Sequence, residues 1–174
     1  MPSCNNHFRK NDNDQRKDSQ AEDYRRRFTK EMGRPVFTGH ALHHIYPKET
    51  LGPAFKTLGI DVNAPKNLAE LPVRFKYGKK AIIHQERLHG KDDEGRDTET
   101  AFINDFFIKH GLANNKNGSI DFTTLENLST SEKKHYRELA RDFAVDFVKS
   151  RTKGIDLGDG ITCADCIGGA PYYD

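Results

Sequence analysis

Gly39-His40-Ala41-Leu42-His43-His44-Ile45-Tyr46-Pro47-Lys48-Glu49 is the stretch on which the reading of this chain turns. Five of the eight histidines fall between positions 40 and 89, namely His40, His43, His44, His84 and His89. Val36, Phe37, Leu42, Ile45 and Tyr46 are the apolar members from Val36 to Tyr46, and the second half of that segment reads as a short strand. Neighbouring residues on a strand point to opposite faces, or diverge at its end, so His43 and His44 meet different surroundings. One imidazole can ligate a metal while the other takes a proton from water. A His-His pair alone is equally what two partly buried structural histidines would look like. His40 reads as a polar residue of the loop before the strand, with a place close to the site as the alternative.

Outward from this stretch the elements are short. Residues 21–32, AEDYRRRFTKEM, suit a short basic helix that stops before Gly33-Arg34-Pro35. Leu51, Ala54, Phe55 and Leu58 recur at helical spacing, with Pro53 in the first turn and Gly59 as the stop. Ile60-Asp61-Val62 and Asn67 to Leu71 read as turns and short extended pieces. Lys79 to Leu88 is a further helix ended by Gly90. Thr100 to Lys109 is another, with Phe102, Ile103, Phe106 and Phe107 as its apolar stripe. Asn114 to Gly118 is a turn cluster. Ser129 and Glu132 have capping-box spacing, and Tyr136, Leu139, Ala140, Phe143, Phe147 and Val148 then make a sustained apolar face. This last helix, closed by Gly154, is expected to be scaffold. The expected organisation is a polar arm at 1–20, a domain at 21–154 with a helical scaffold at 120–153, and an irregular tail at 155–174.

Composition sets bounds. The 174 residues match roughly one domain. Hydrophobic residues make up 34% and charged residues 31%, and mean hydropathy is −0.85, so a modest core with solvated segments is expected. No apolar run approaches the roughly 20 residues of a membrane span, which excludes an integral helical membrane protein. MPSCNNHFRKNDNDQRKD lacks an apolar core, so no cleavable secretory signal is expected. Net charge is only +2, but basic residues cluster locally. Arg25, Arg26, Arg27, Lys30 and Arg34 form one group, and Arg74, Lys76, Lys79, Lys80, Arg87 and Lys91 another. Both suit either a solvated face or a polyanion-binding one. Three cysteines do not make a disulfide framework. Cys4 and His7 form C-x-x-H and Cys163 and Cys166 form C-x-x-C, which together suit a structural zinc clasp on the two termini. Loose thiols or a local disulfide are the alternatives.

The ordered series His43-His44-Ile45-Tyr46-Pro47-Lys48-Glu49, Leu58-Gly59-Ile60-Asp61-Val62-Asn63, Asn67-Leu68-Ala69-Glu70-Leu71-Pro72, His84 and His89-Gly90 resembles the HNH/endonuclease VII superfamily. It is most similar to the toxin-type domains with an AHH- or GHH-like signature, the effector domains of bacterial polymorphic toxins. The resemblance covers about residues 36–110. It implies an α+β fold, mostly helical, with a small ββα-metal (His-Me finger) core and additional helices. It implies one divalent ion (Mg, Mn, Zn or Ni) held by His43, His84 and His89, with His44 as general base and Asn67 as the central Asn that fixes the loop. Asn63 is the other candidate for that Asn. His84 and His89 are five apart, and on a regular helix five residues turn about 140° away from a shared face. Either the helix ends at His89 or only one of the two touches metal. Glu70 and Glu86 are further candidate ligands or supports.

The implied function is metal-dependent hydrolysis of DNA with little sequence specificity. Arg74, Lys76, Lys79, Lys80 and Arg87 would line a phosphate track, which positions nucleic acid without reading it. The implied setting is an antibacterial effector, exported without a Sec signal or otherwise cytoplasmic, with a cognate immunity protein as partner. The competing readings are an RNA-cleaving nuclease and a non-enzymatic nucleic-acid-binding module stabilised by zinc.

Overall fold

The computed structural model describes residues 21–36, 40–72, 91 and 94–152. The expected arm at 1–20, the helix expected over 79–88 and the tail at 155–174 lie outside the described residues. What is described is mostly helical, with one small antiparallel sheet of two strands.

Helix α1 (Ala21–Met32) is the basic helix expected. Tyr24, Phe28 and Met32 recur every fourth residue, so they form one stripe. Phe28 is fully buried against Leu42 and Leu68 of the two strands, with Tyr24, Met32 and Val36 around it. Gly33 follows at φ 65°, the left-handed conformation that ends many helices.

Strand β1 (His40–His44) pairs with β2 (Leu68–Pro72) from His40 opposite Pro72 to His44 opposite Leu68. His40 therefore belongs to the strand and not to a loop before it. Leu42 and Glu70 sit opposite each other, as do His43 and Ala69. Strand alternation puts Leu42, His44, Leu68 and Glu70 on the face that α1 covers, and His43 and Ala69 on the other.

The connection between the strands is compact. Helix α2 (Gly52–Thr57) carries Pro53 in its first turn and buries Ala54 and Phe55, with Leu51 and Leu58 buried at its ends. Gly59 then turns the chain at φ 85°. That φ is what requires glycine; a Cβ there would also stand 3.1 Å from Arg137 Nη1, which would have to give by a few tenths of an ångström. A single 3₁₀ turn, Pro65–Asn67, leads directly into β2.

The larger core is aromatic. Helix α3 (Thr98–Phe102) starts two residues before the expected Thr100, because Asp97 accepts a hydrogen bond from Thr100 N–H at 2.7 Å and caps it. The chain continues as a π-helix over Ile103–Ile108. Wider i→i+5 winding brings residues four and five places along onto one side, which lets Phe102, Phe106 and Phe107 all be buried. The sequence pattern predicts one ordinary helix here, because an apolar stripe does not distinguish the two windings. Helix α4 (Phe122–Asn127), capped by Asp121, is a separate element not singled out from the sequence.

Helix α5 (Thr130–Thr152) closes the fold. Its capping box forms in both directions: Ser129 N–H donates to Glu132 at 2.7 Å and Glu132 N–H donates to Ser129 Oγ at 3.2 Å. Ala140, Ala144 and Val148 are fully buried. Phe143 and Phe147 pack on Phe102 with ring centroids 4.7 and 5.7 Å away.

One of the two basic groups departs from the solvated-face reading. Arg34 makes a two-pronged ion pair with Glu70 of β2, at 2.6 and 3.1 Å, with side chains only 8% and 3% exposed. Arg34 also donates to the Pro35 carbonyl at 3.0 Å. Fork-to-fork geometry matches the two charged groups and lets each satisfy the other out of water. Glu70 thus anchors the segment after α1 to the sheet. Removing one member of a buried pair leaves the other charge in a poor environment. Glu70→Ala is expected to lower unfolding free energy by about 3–5 kcal/mol. The double variant Arg34→Met/Glu70→Leu is expected to lose much less, and urea denaturation of the three proteins measures both.

Candidate active site

His43 and His44 end β1, where the strand gives way to Ile45, Tyr46 and the Pro47 turn. They face opposite sides of the sheet, yet both line one cavity of about 360 Å³. Tyr24, Leu42, Pro47 and Lys48 line it too, with Glu49, Asp97 and Glu99 as its carboxylates. His43 is buried at 5% exposure, while His44 is half-buried. The two imidazoles therefore do have different surroundings, as expected from the strand.

His44 is held on two sides. The Tyr24 ring of α1 meets it edge to face with centroids 4.7 Å apart. Its Nε2 lies 2.8 Å from Asn63 Oδ1. Lys48 places its ammonium 5.3 Å from the centre of the same Tyr24 ring, a cation–π contact within the cavity lining.

The loop between α2 and β2 explains why Asn63 is there. Asp61 Oδ1 accepts from Asn63 N–H at 3.0 Å, a local turn that asparagine and aspartate favour. Asp61 Oδ2 takes Arg27 of α1 at 2.7 Å. The Asp61 carbonyl accepts from Ala64 N–H at 3.1 Å and from Asn67 Nδ2 at 2.7 Å. The Arg27 hydrogen bond, helped by the Asn63 amide, holds the Asp61 carboxyl below its ordinary 3.8.

Asn67 is buried, and its polar groups are all used. Its Oδ1 accepts from Arg141 at 2.8 Å, its N–H donates to the Ala64 carbonyl at 2.8 Å, and its carbonyl accepts from Ile45 N–H at 3.1 Å. The last bond ties the loop to the residue directly after His44. Asn67 and Asn63 thus divide two tasks between them: Asn67 shapes the loop and Asn63 touches His44. Both are tied to Asp61, Asn63 through its N–H to the carboxylate and Asn67 through its side chain to the carbonyl. Arg141 of α5 also donates to the Lys66 carbonyl at 2.6 Å and hydrogen-bonds Tyr46. Burial pushes the Tyr46 phenol up to about 12, so it stays protonated at neutral pH and is no base.

Of the three proposed metal ligands only His43 lies among the described residues. His84 and His89 lie outside them, as do Cys4, His7, Cys163 and Cys166 of the zinc clasp, and Arg74, Lys76, Lys79, Lys80 and Arg87 of the phosphate track. Among the described residues no group of three or more His, Cys, Asp or Glu side chains is arranged to hold a metal ion. Two carboxylates of the cavity have structural work: Asp97 caps α3, and Glu99 accepts from Thr50 N–H at 2.8 Å. His110 packs on Phe106 and Tyr136 and does not line the cavity, and burial lowers its pKa below 6.5.

Tyr24, Arg27, Asp61 and Arg141 were not legible as site residues. Each acts from a distant stretch of sequence, and only Asp61 sat in a quoted motif. No family model matches the chain, and no curated protein or solved structure is significantly similar to it.

The Arg27–Asp61 contact gives a measurable pH dependence. The folded pKa of Asp61 is depressed, so its contribution is present above 3.8 and is lost as pH falls through the folded value. The side chains are 39% and 54% exposed, so the effect on global stability is small. An NMR titration of the Asp61 carboxyl is expected to give a midpoint below 3.8 in the wild type and one displaced upward in Arg27→Ala.

Proposed function

We propose that this chain is a metal-dependent endonuclease that hydrolyses DNA phosphodiesters with little sequence specificity. The carrying observation is the pair His43 and His44 at the end of β1. They line one cavity, beside a loop clamped by a buried asparagine, in a two-stranded antiparallel unit. In the proposed ββα-metal core, β1 and β2 supply the two strands.

His44 acts as general base. It takes a proton from water as the water oxygen bonds to phosphorus. The bond from phosphorus to the 3′ oxygen breaks, and solvent supplies the proton that this oxygen takes up. A divalent ion held by His43, His84 and His89 would neutralise charge on the phosphate, which is the main obstacle to attack on an anionic ester. Lys48 adds a positive charge to the same cavity. Arg74, Lys76, Lys79, Lys80 and Arg87 hold flanking phosphates, so binding falls steeply with salt. In this reading the chain is an antibacterial effector domain. Its producer is protected by an immunity protein, because a nuclease in the cytosol threatens its maker.

The test is cleavage of supercoiled plasmid by wild type, His43→Ala and His44→Ala, with Mg²⁺, Mn²⁺ or Zn²⁺ and with EDTA. Nicking that needs metal is expected in the wild type and is lost in both variants. Metal affinity is expected to fall mainly in His43→Ala. A folded wild type that cuts no DNA with any of these metals overturns the DNA reading, and the same series on RNA then decides whether the histidines serve an RNA nuclease.

A further inference from the structure

We propose that Asn63 is the positioning residue of His44, fixing the imidazole in its Nε2–H tautomer. Its role in turnover rests on the nuclease reading; the tautomer itself does not.

Asn63 Oδ1 lies 2.8 Å from His44 Nε2. An amide oxygen is only an acceptor, so the bond forms when Nε2 carries the proton. In the neutral ring the lone pair then sits on Nδ1, and Nδ1 is the atom that accepts a proton from water. The opposite tautomer would set two lone pairs against each other at this distance.

The geometry is supported from behind. Asn63 N–H is held by Asp61 Oδ1 at 3.0 Å, and Asp61 Oδ2 is held by Arg27 at 2.7 Å. The Asp61 carbonyl is held by Asn67 Nδ2 at 2.7 Å. Arg27 belongs to α1, which also delivers Tyr24 to the edge of the His44 ring. One helix thus constrains His44 twice: directly by ring contact, and through Asp61 and Asn63. A ring held by an aromatic edge and a hydrogen bond loses rotational freedom before substrate arrives, which is what a general base needs. Asn67, by contrast, is spent on Asp61, Ala64, Ile45 and Arg141, so loop shape and base orientation fall to two asparagines four positions apart.

The experiment uses the full chain with ¹⁵N-labelled histidine, in wild type, Asn63→Ala and Asn63→Asp. Long-range ¹H–¹⁵N spectra at a pH where the ring is neutral report which nitrogen carries the proton. The wild type is expected to show a slowly exchanging Nε2–H on His44. Asn63→Ala is expected to lose that protected proton, and Asn63→Asp, which keeps an acceptor, to retain it. On plasmid, kcat is expected to fall about 10–100-fold in Asn63→Ala with KM little changed, the usual scale for a support to a site residue. A wild-type His44 protonated at Nδ1 overturns the proposal, because the Asn63 amide would then be donating. So does a protected Nε2–H that survives in Asn63→Ala, or a change in KM alone. If the wild type cuts neither DNA nor RNA, the nuclease reading fails while the spectra still decide the tautomer.

Discussion

Asn67 carries the constraint on which this architecture rests. It is buried, so each of its polar groups must find a partner or cost the fold a desolvated donor or acceptor. Its backbone N–H and carbonyl bind Ala64 and Ile45, and its side chain binds Asp61 and Arg141. Those partners come from the loop, from the end of β1 and from α5. One asparagine therefore joins the small sheet to the helical core, at the place where the two histidines leave the strand. A charge-assisted bond from Arg141 makes the junction stiffer than a neutral pair would.

Around that junction α1 has two distinct roles. Its apolar stripe, Tyr24, Phe28 and Met32, covers the outer face of the sheet. Its charged side chains are not simply solvated. Arg27 reaches Asp61, and just beyond the helix Arg34 is locked to Glu70. These two ion pairs differ in kind. The Arg27–Asp61 pair is half-exposed and contributes to loop geometry more than to stability. The Arg34–Glu70 pair is buried, and its worth lies in what happens when one partner is removed. Net charge near zero hides both, since a count does not say which charges are already matched.

Long apolar periods and helix signals were the legible part. The stripe in 21–32, Pro53 and Gly59 around α2, and the capping box of Ser129 and Glu132 all act within a few residues, so local spacing suffices to read them. A short strand in the second half of Val36 to Tyr46 was legible for the same reason, though not its bounds of His40–His44. The π-helix at Ile103–Ile108 was not, because both windings satisfy one apolar stripe, and the choice follows from how three phenylalanines share the core. Glu70 was legible as a candidate ligand or support, but not its partner thirty-six residues away. The motif favours Asn67 over Asn63 as the central asparagine but gives neither its partners, because both lie on one turn-rich loop.

The sequence by itself determined that two adjacent histidines on a short strand would face different ways, since strand alternation is a property of the backbone; that the strand ends at His44 came from the structure. The sequence also determined that a short helix and a tight glycine turn would follow. Only the tertiary structure decided which groups meet these histidines. Tyr24 and Asn63 touch His44 from twenty residues before and nineteen after it, and Arg141 reaches Asn67 across 74 residues. Such contacts depend on how helices pack on the sheet, and packing is a sum over the whole core that no local pattern contains. The division of labour between the two asparagines is thus a product of the fold, written in residues whose spacing alone leaves it open.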